Sequence, residues 1–193
     1  MINQTDYKNI IDRINEDFLL YYNKYDFSKY SKGDYEIFQN DFSSLKSENK
    51  SIEKALKWKW GHAGKSNFPS AQKALIKEVE SNWKDFSLKK LTNPQDTFDY
   101  WKNIFNRNTT YITTVYITHL VHYSEIPIID QHNYRAMNYF IKLINSDYNT
   151  KKKPSNWNDL MNFKQFIDEV SLGTNIDKEK IDKYLMMYGK SIK

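Results

Sequence analysis

Cysteine is absent from the 193-residue chain. This absence excludes disulfides, a thiol nucleophile and any metal site built on cysteine. It is also typical of cytosolic proteins. The first turns, MINQTDYKNIIDRINEDF, are polar and acidic, unlike a secretory signal peptide. We therefore expect a cytoplasmic protein.

Long apolar runs are also missing. No stretch approaches the 18 residues that a membrane-spanning helix needs, so we expect no membrane partner. Lysine and arginine exceed aspartate and glutamate by 29 to 24, a mild basic excess that points only weakly to nucleic acid. The abundance of Lys, Asn, Ile and Tyr is typical of an AT-rich genome, so composition alone says little about function. The length favours one domain with a sizeable core, and we expect a monomer.

Apolar residues recur at helical spacing through most of the chain. Proline and glycine are scarce, with 4 and 5 residues, and several of them coincide with predicted helix ends. Pro94 is predicted as a first helical residue and Gly189 as the residue just past the last helix. Leu172-Gly173-Thr174 is predicted as a helix stop, followed by a new start at Asn175 or Asp177. The β-branched residues of 109–120 leave a strand possible there. No repeat, low-complexity tract or clear linker interrupts the pattern. The sequence therefore predicts a mainly α protein, a single globular helical domain over residues 1–193. The predicted helices are 6–25, 35–45, 51–60 with Ser51 as its cap, 70–86, 95–105, 109–120, a helix after Asp130, 157–170 and 181–188.

Two motifs resemble known functional motifs but do not have the spacing that those motifs require. Gly61–Ser66 has two residues between its glycines, whereas a Walker A phosphate loop has four and follows a buried strand. This excludes a P-loop nucleotide triphosphatase. His119 and His122 are three residues apart, whereas the zinc-binding His-Glu-x-x-His helix needs a spacing of four and a glutamate. The alternative is that the histidines are ordinary core or surface residues, and we expect neither a metal nor a cofactor.

Trp58 and Trp60 precede a glycine-containing loop that carries His62 and Lys65. Glycine allows a close backbone approach to a ligand. Lysine and histidine can contact phosphate, and an indole ring can stack on an unpaired base. The alternative is that one tryptophan belongs to the core and the loop is simply solvated.

The segment Asn106–Thr110 joins two predicted helices. Backbone N–H groups at the start of the second helix form a phosphate-binding concavity, and Arg107 adds a positive charge. The alternative is an ordinary turn between helices.

The stretch Glu125–Phe140, EIPIIDQHNYRAMNYF, contains the most informative pattern. Pro127 favours an extended approach, which places Asp130 at the N-cap of the helix that follows. Hydrogen bonds from backbone N–H groups and the positive end of the helix dipole favour an ionised carboxylate there. The alternative is that Asp130 is only a cap.

Taken together, Asn106–Phe140 resembles the helix-hairpin-helix DNA glycosylase superfamily. Members of that superfamily have a helix, a hairpin, a second helix and a short apolar approach to an aspartate, typically in V-D-T-H-V-x-R. Here Ile129-Asp130-Gln131-His132-Asn133-Tyr134-Arg135 stands in that place, and Asp130 follows Asn106 by 24 residues. The segments ALKWKWGHAGK and DKYLMMYGK are similar to a bacterial branch related to 8-oxoguanine DNA glycosylase.

The resemblance implies a helix-hairpin-helix-like element, with the hairpin and catalytic aspartate in residues 95–144, and duplex DNA with an extruded base as the partner. It implies Asp130 as the catalytic residue. The implied base pocket contains Trp58, Trp60, His62, Lys65, Gln131 and His132. The implied DNA-binding residues are Asn106, Arg107, Asn108, Thr109, Thr110 and Arg135.

Two departures from the family pattern bear on mechanism. The L-P-G-x-G hairpin is replaced by Asn106-Arg107-Asn108-Thr109-Thr110, although asparagine tolerates the left-handed geometry of such a turn. Ile112 stands where strand-cleaving members have a lysine. The resemblance thus implies a monofunctional DNA glycosylase in which Asp130 activates water. The alternatives are a non-catalytic nucleic-acid-binding module on a glycosylase-like scaffold, or an all-α protein-interaction module. The target base, and a role in DNA repair or in anti-phage defence, are left open.

Overall fold

A computed structural model describes the chain over residues 4–28 and 30–192, apart from the side chains of residues 4–6 and 108. Within these residues the secondary structure is entirely helical, which confirms the predicted mainly α class. The α-helices are α1 (Gln4–Tyr22), α2 (Lys32–Ser43), α3 (Asn49–Lys59), α4 (Ser70–Lys89), α5 (Pro94–Phe105), α6 (Tyr111–Val121), α7 (Gln131–Ile144), α8 (Trp157–Thr174) and α9 (Lys178–Ser191), with a short 3-10 helix at Asn108–Thr110.

Residues 111–121 form a helix despite their β-branched side chains. Inside α6 the hydroxyls of Thr114 and Thr118 donate to the carbonyls four residues earlier, those of Thr110 and Thr114. These bonds satisfy buried hydroxyl groups without any partner outside the helix. The helical alternative is therefore the correct one for this segment.

Two predictions about helix ends are wrong. Ser51 does not cap α3, which begins at Asn49 after Glu48; its hydroxyl instead donates to the Asp41 carboxylate. Gly189 lies inside α9 rather than beyond it. The predicted stop at Leu172-Gly173-Thr174 is correct, because α8 ends at Thr174 and is followed by the left-handed residue Asn175. Pro94 does open α5, as predicted.

The chain divides into two compact units, each with its own core. The first runs to Tyr25 and resumes at Ile128, and the second spans Asp26–Pro127. The prediction of one domain over residues 1–193 stays a prediction. No helix in the described part of the chain is long and apolar enough to span a bilayer.

The first unit contains α1, α7, α8 and α9. Its core includes the buried rings of Phe140, Phe163, Phe166 and Tyr184. The Tyr184 hydroxyl donates to Asp17 Oδ1 over 2.6 Å and so ties α9 to α1. Helix α7 packs along α9. This packing determines the surroundings of the first turn of α7, which Asp130 precedes.

The second unit contains α2 to α6. Its core is built around Trp101, whose ring centroid lies 6.0 Å from that of Trp83 and 5.1 Å from that of Phe86. Phe42 meets Trp83 edge to face at 4.9 Å. The turn Asn106–Thr110 and the loop Gly61–Asn67 both belong to this unit.

Candidate functional site

Asp130 is the N-cap of α7, as predicted. Its backbone is extended, with φ −138°, and its Oδ1 accepts the backbone N–H groups of His132 at 2.7 Å and Asn133 at 3.1 Å. The Asn133 side chain in turn bonds to the backbone of Asp130: its Oδ1 accepts the Asp130 N–H at 2.8 Å. Asparagine here does what Glu or Gln does in the usual capping box. The reciprocal bonds hold the carboxylate in one orientation.

The second carboxylate oxygen of Asp130 is not used by the cap. Both backbone donors bind Oδ1, and no described residue donates a hydrogen bond to Oδ2. The residue is only partly buried. One oxygen therefore holds the helix start, while the other is available to a ligand or a water molecule.

Asn133 links the Asp130 turn to α9. Its side chain is 1% exposed, and Nδ2 donates both to the Ile128 carbonyl at 3.2 Å and to Asp182 Oδ1 at 2.7 Å. The same side chain thus holds the backbone on both sides of Ile129. The sequence motif shows Asn133 but not this role, since Asp182 is 49 residues away.

The end of α9 also lies against the first turn of α7. A Cβ added to Gly189 would stand 1.9 Å from the backbone oxygen of His132, so only glycine permits this approach. Arg135, a predicted DNA-binding residue, donates from Nη1 to the carbonyls of Gly189 at 3.2 Å and Ile192 at 3.1 Å. In this structure the Arg135 guanidinium caps the end of α9.

His132 and Gln131 follow Asp130 directly. Burial lowers the pKa of His132, and Lys190 and Arg135 lower it further against the opposing effect of Asp130. The imidazole is therefore neutral at pH 7. Its buried Nδ1 has no hydrogen-bond partner among the described residues, and Gln131 is exposed. Both residues lie in the same unit as Asp130.

Trp58, a predicted base-pocket residue, belongs to the core of the second unit. Its side chain is 8% exposed and lies nearly parallel to the rings of Tyr35 at 5.3 Å and Tyr116 at 6.2 Å. Tyr30 and Phe38 contact it edge to face. This packing matches the alternative in which one tryptophan is part of the core.

The other predicted pocket residues of this unit surround the Gly61–Asn67 loop. Trp60 is partly exposed at the end of α3, and Lys65 is exposed. The His62 ring stacks on Phe68 at 6.1 Å. Gly61 and Gly64 have φ values of 69° and 71°, which explains why glycine stands at both positions.

The turn between α5 and α6 contains a residue in the left-handed conformation, Asn106, and asparagine tolerates this geometry. Asn106 has φ 44°, and its N–H donates to the Lys102 carbonyl at 2.9 Å. Arg107 forms an ion pair with Glu78. Thr110 is buried and its hydroxyl donates to the Arg107 carbonyl, whereas Thr109 is exposed. The side chain of Asn108 lies outside the described residues.

His119 is buried, in agreement with the alternative that the histidines are ordinary core or surface residues; its hydrogen-bond partners have no signal in the sequence. Its Nδ1 hydrogen-bonds to the Ile126 carbonyl, and because a carbonyl only accepts, Nδ1 carries the proton. Its Nε2 then accepts from the Tyr35 hydroxyl. Burial lowers the pKa of His119 to about 4, so the ring is neutral near pH 7. His119 thereby holds the backbone at Ile126, near the end of the second unit.

Two further features of the second unit lie apart from the predicted residues. The Nε2 of His122, the residue after α6, is 2.9 Å from the Thr97 hydroxyl, so His119 and His122 have separate partners. A groove of about 610 Å³ is lined by Ser43, Ser44, Leu45, Ser87, Lys90, Leu91, Thr92, Val121 and His122. No group of His, Asp and Glu side chains suited to a metal ion occurs in the described part of the chain.

Comparison with protein-family models, with curated proteins and with solved structures finds no match to this chain.

Proposed function

We propose that this protein is a DNA glycosylase that hydrolyses the N-glycosidic bond of an extruded damaged or modified base, with Asp130 as the catalytic carboxylate. The observation on which the proposal rests is that the two carboxylate oxygens of Asp130 have different surroundings. Oδ1 is held by two backbone N–H groups, while Oδ2 has no hydrogen-bond partner among the described residues. A carboxylate held in this way is oriented before any substrate arrives.

The chemistry requires one fixed negative charge and one activated water molecule. As the base leaves with the bonding electrons, positive charge develops on the sugar, and a carboxylate beside C1′ stabilises it. Oδ2 orients water for attack at C1′ and accepts its proton as the new C–O bond forms. Extruding the base from the stack costs a few kcal/mol, which is smallest for a damaged or mispaired base.

The order of elements along the chain supports the same proposal. Helix α5, a turn with left-handed Asn106, helix α6 and a short non-helical apolar segment before an aspartate at a helix start occur in the order that the superfamily resemblance implies. Asn106 adopts the geometry for which the family uses glycine. Ile112 in α6 supplies no amine at the position where strand-cleaving members have a lysine, which favours water over lysine as the nucleophile.

The decisive experiment is base release from duplexes that carry a panel of damaged and modified bases, scored as abasic sites. Asp130→Asn retains a good N-cap, so folding and DNA binding should persist while base release falls by about 100-fold or more. Asp177→Asn is the matched control, because Asp177 is also an N-cap but makes no capping hydrogen bond through its side chain. Undiminished base release by Asp130→Asn would refute the role of Asp130.

Borohydride treatment during the reaction distinguishes the nucleophile. Attack by water leaves nothing to reduce, so we expect no covalent protein–DNA adduct. A trapped adduct would show that a lysine forms a Schiff base and that the reaction is not simple hydrolysis.

A second candidate function is nucleic-acid binding without catalysis. The capping box accounts for Asp130 without any reaction, and Arg107 is paired with Glu78. This alternative predicts DNA binding with no base release from any duplex of the panel, and equal behaviour of the wild type and Asp130→Asn.

A further inference from the structure

One segment of the second unit concentrates the positive charge of the chain. Residues 54–77 contain six lysines and no aspartate or glutamate, although the whole chain has a net charge of only +5. The segment runs from α3 through the Gly61–Asn67 loop into α4. The lysines are Lys54, Lys57, Lys59, Lys65, Lys73 and Lys77.

The fold brings part of this charge together around one aromatic ring. Lys57 Nζ lies 4.9 Å and Lys73 Nζ 5.3 Å from the centroid of the Phe68 ring. The two ammonium groups are therefore no more than about 10 Å apart, which is the Debye length at 0.1 M salt, so their repulsion is not fully screened. Glu53 Oε1 is 3.4 Å from Lys57 Nζ, and its negative charge offsets part of this repulsion. Neither Lys65 nor Lys73 has an ion-pair partner among the described residues.

A histidine with unused hydrogen-bonding capacity lies on the same ring. His62 stacks on Phe68, and its buried Nδ1 has no partner among the described residues. Buried polar atoms are nearly always paired, so this nitrogen is a place for an ordered water molecule. An anionic oxygen beside this ring would offset the repulsion between the lysines, and a water molecule would bridge it to the buried Nδ1.

Lys65 lies next to this ring pair along the loop, since its backbone N–H donates to the His62 carbonyl at 3.0 Å. We propose that this surface, the Phe68 surface formed by Lys57, His62, Lys65, Phe68 and Lys73, binds the phosphate backbone of duplex DNA. The choice of DNA as the polyanion rests on the proposed function; the choice of phosphate rests on charge complementarity. This assigns His62 and Lys65 to backbone contacts, which position DNA, rather than to a base pocket.

The composition of the surface favours nucleic acid over an anionic membrane. A membrane-surface helix needs large apolar side chains beside its lysines. The large apolar side chains that are exposed in the described residues all lie outside 54–77: Leu19, Leu20, Phe27, Ile37, Leu88, Tyr123, Tyr139, Leu143 and Leu172.

The test measures how DNA affinity depends on salt. The full chain is titrated with an undamaged fluorescent duplex between about 50 and 200 mM salt, where each phosphate contact contributes about 0.9 to the slope of log K against log[salt]. We expect Lys57→Gln/Lys65→Gln/Lys73→Gln to lower the slope by about 2.7 if all three contacts are lost. The corresponding triple change to arginine should retain the wild-type slope.

The control removes the same charge from the first unit. Lys8→Gln/Lys142→Gln/Lys152→Gln changes three exposed lysines, and its slope should stay close to that of the wild type. Thermal unfolding of each variant verifies that it is folded. An unchanged slope in the Phe68-surface variant, or an equal loss in both glutamine variants, would overturn the proposal. So would binding to phosphatidylserine vesicles with no binding to DNA.

The design separates this inference from the proposed function. Asp130→Asn should lose base release but keep the wild-type salt slope. If no duplex loses a base but the Phe68-surface variant still lowers the slope, the surface proposal stands and the glycosylase proposal fails. If bases are released but the Phe68-surface variant keeps the wild-type slope, the glycosylase proposal stands and the surface proposal fails.

Discussion

The side-chain nitrogen Nδ2 of Asn133 lies 2.7 Å from Oδ1 of Asp182, although the two residues are 49 positions apart in the chain. The other side of the Asn133 amide accepts the backbone N–H of Asp130. Helix α9 is thereby connected, through one carboxamide, to the turn that orients the Asp130 carboxylate. The stability of this turn depends on α9 as well as on its own capping box.

The Asn133–Asp182 pair should show energetic coupling. Asn133→Ala removes hydrogen bonds to buried backbone groups and should lower the free energy of unfolding by about 2–4 kcal/mol. A double-mutant cycle with Asp182→Ala should give a coupling energy of about 0.5–3 kcal/mol by denaturant unfolding. The cycle of Asn133→Ala with Asp177→Ala should show almost none, and coupling of similar size in both cycles would contradict a direct interaction.

Gly189 should tolerate no side chain. Because its Cβ would meet the backbone oxygen of His132, Gly189→Ala must push α9 away from α7, at a cost of about 1–3 kcal/mol. Gly33→Ala is the control: it lies in α2, where a Cβ meets only the Ser31 hydroxyl at 3.9 Å. That change should raise stability slightly, since alanine favours helix by about 1 kcal/mol. Thermal unfolding of both variants gives the comparison, and a neutral Gly189→Ala would show that the helices do not pack this closely.

The buried His119 should make stability depend on pH. Its pKa of about 4 in the folded state is below the ordinary value of 6.5, so the unfolded chain binds more protons between these two values. Stability is therefore complete above about pH 6.5 and falls as the pH drops towards 4, by on the order of 3 kcal/mol. Below the folded-state pKa this contribution levels off.

Urea unfolding across that pH range measures the effect. His119→Phe should be less stable than the wild type at pH 7, because the Ile126 carbonyl and the Tyr35 hydroxyl lose their partner, but its stability should vary less with pH. His122 and His132, whose pKa values burial also lowers, will leave a smaller dependence in the same direction. An unchanged pH profile in His119→Phe would exclude His119 as its main source.

Local signals predicted the features that depend on a few neighbouring residues. Helices follow from apolar spacing, the start of α5 from Pro94, the cap of α7 from Asp130 after an extended approach, and the turn at Asn106 from the tolerance of asparagine for positive φ. Each of these structures is decided within about one helical turn of the residue that signals it. Local preference gave the wrong result for Gly189, which lies inside α9, where close packing against α7 requires a glycine.

The amino-acid sequence by itself determined the helical class, most helix positions and the capping role of Asp130, because hydrophobic periodicity and capping act between near neighbours. Only the tertiary structure decided which side chains have partners elsewhere. Arg135 hydrogen-bonds to the end of α9, Arg107 pairs with Glu78, and Trp58 packs in a core. Asn133 hydrogen-bonds to Asp182, and His119 hydrogen-bonds to Tyr35 and Ile126. The tertiary structure also gathered Lys57, Lys73 and His62 around Phe68. Such contacts join residues that are not near neighbours along the chain, so the path of the whole chain, and not a local pattern, brings them together.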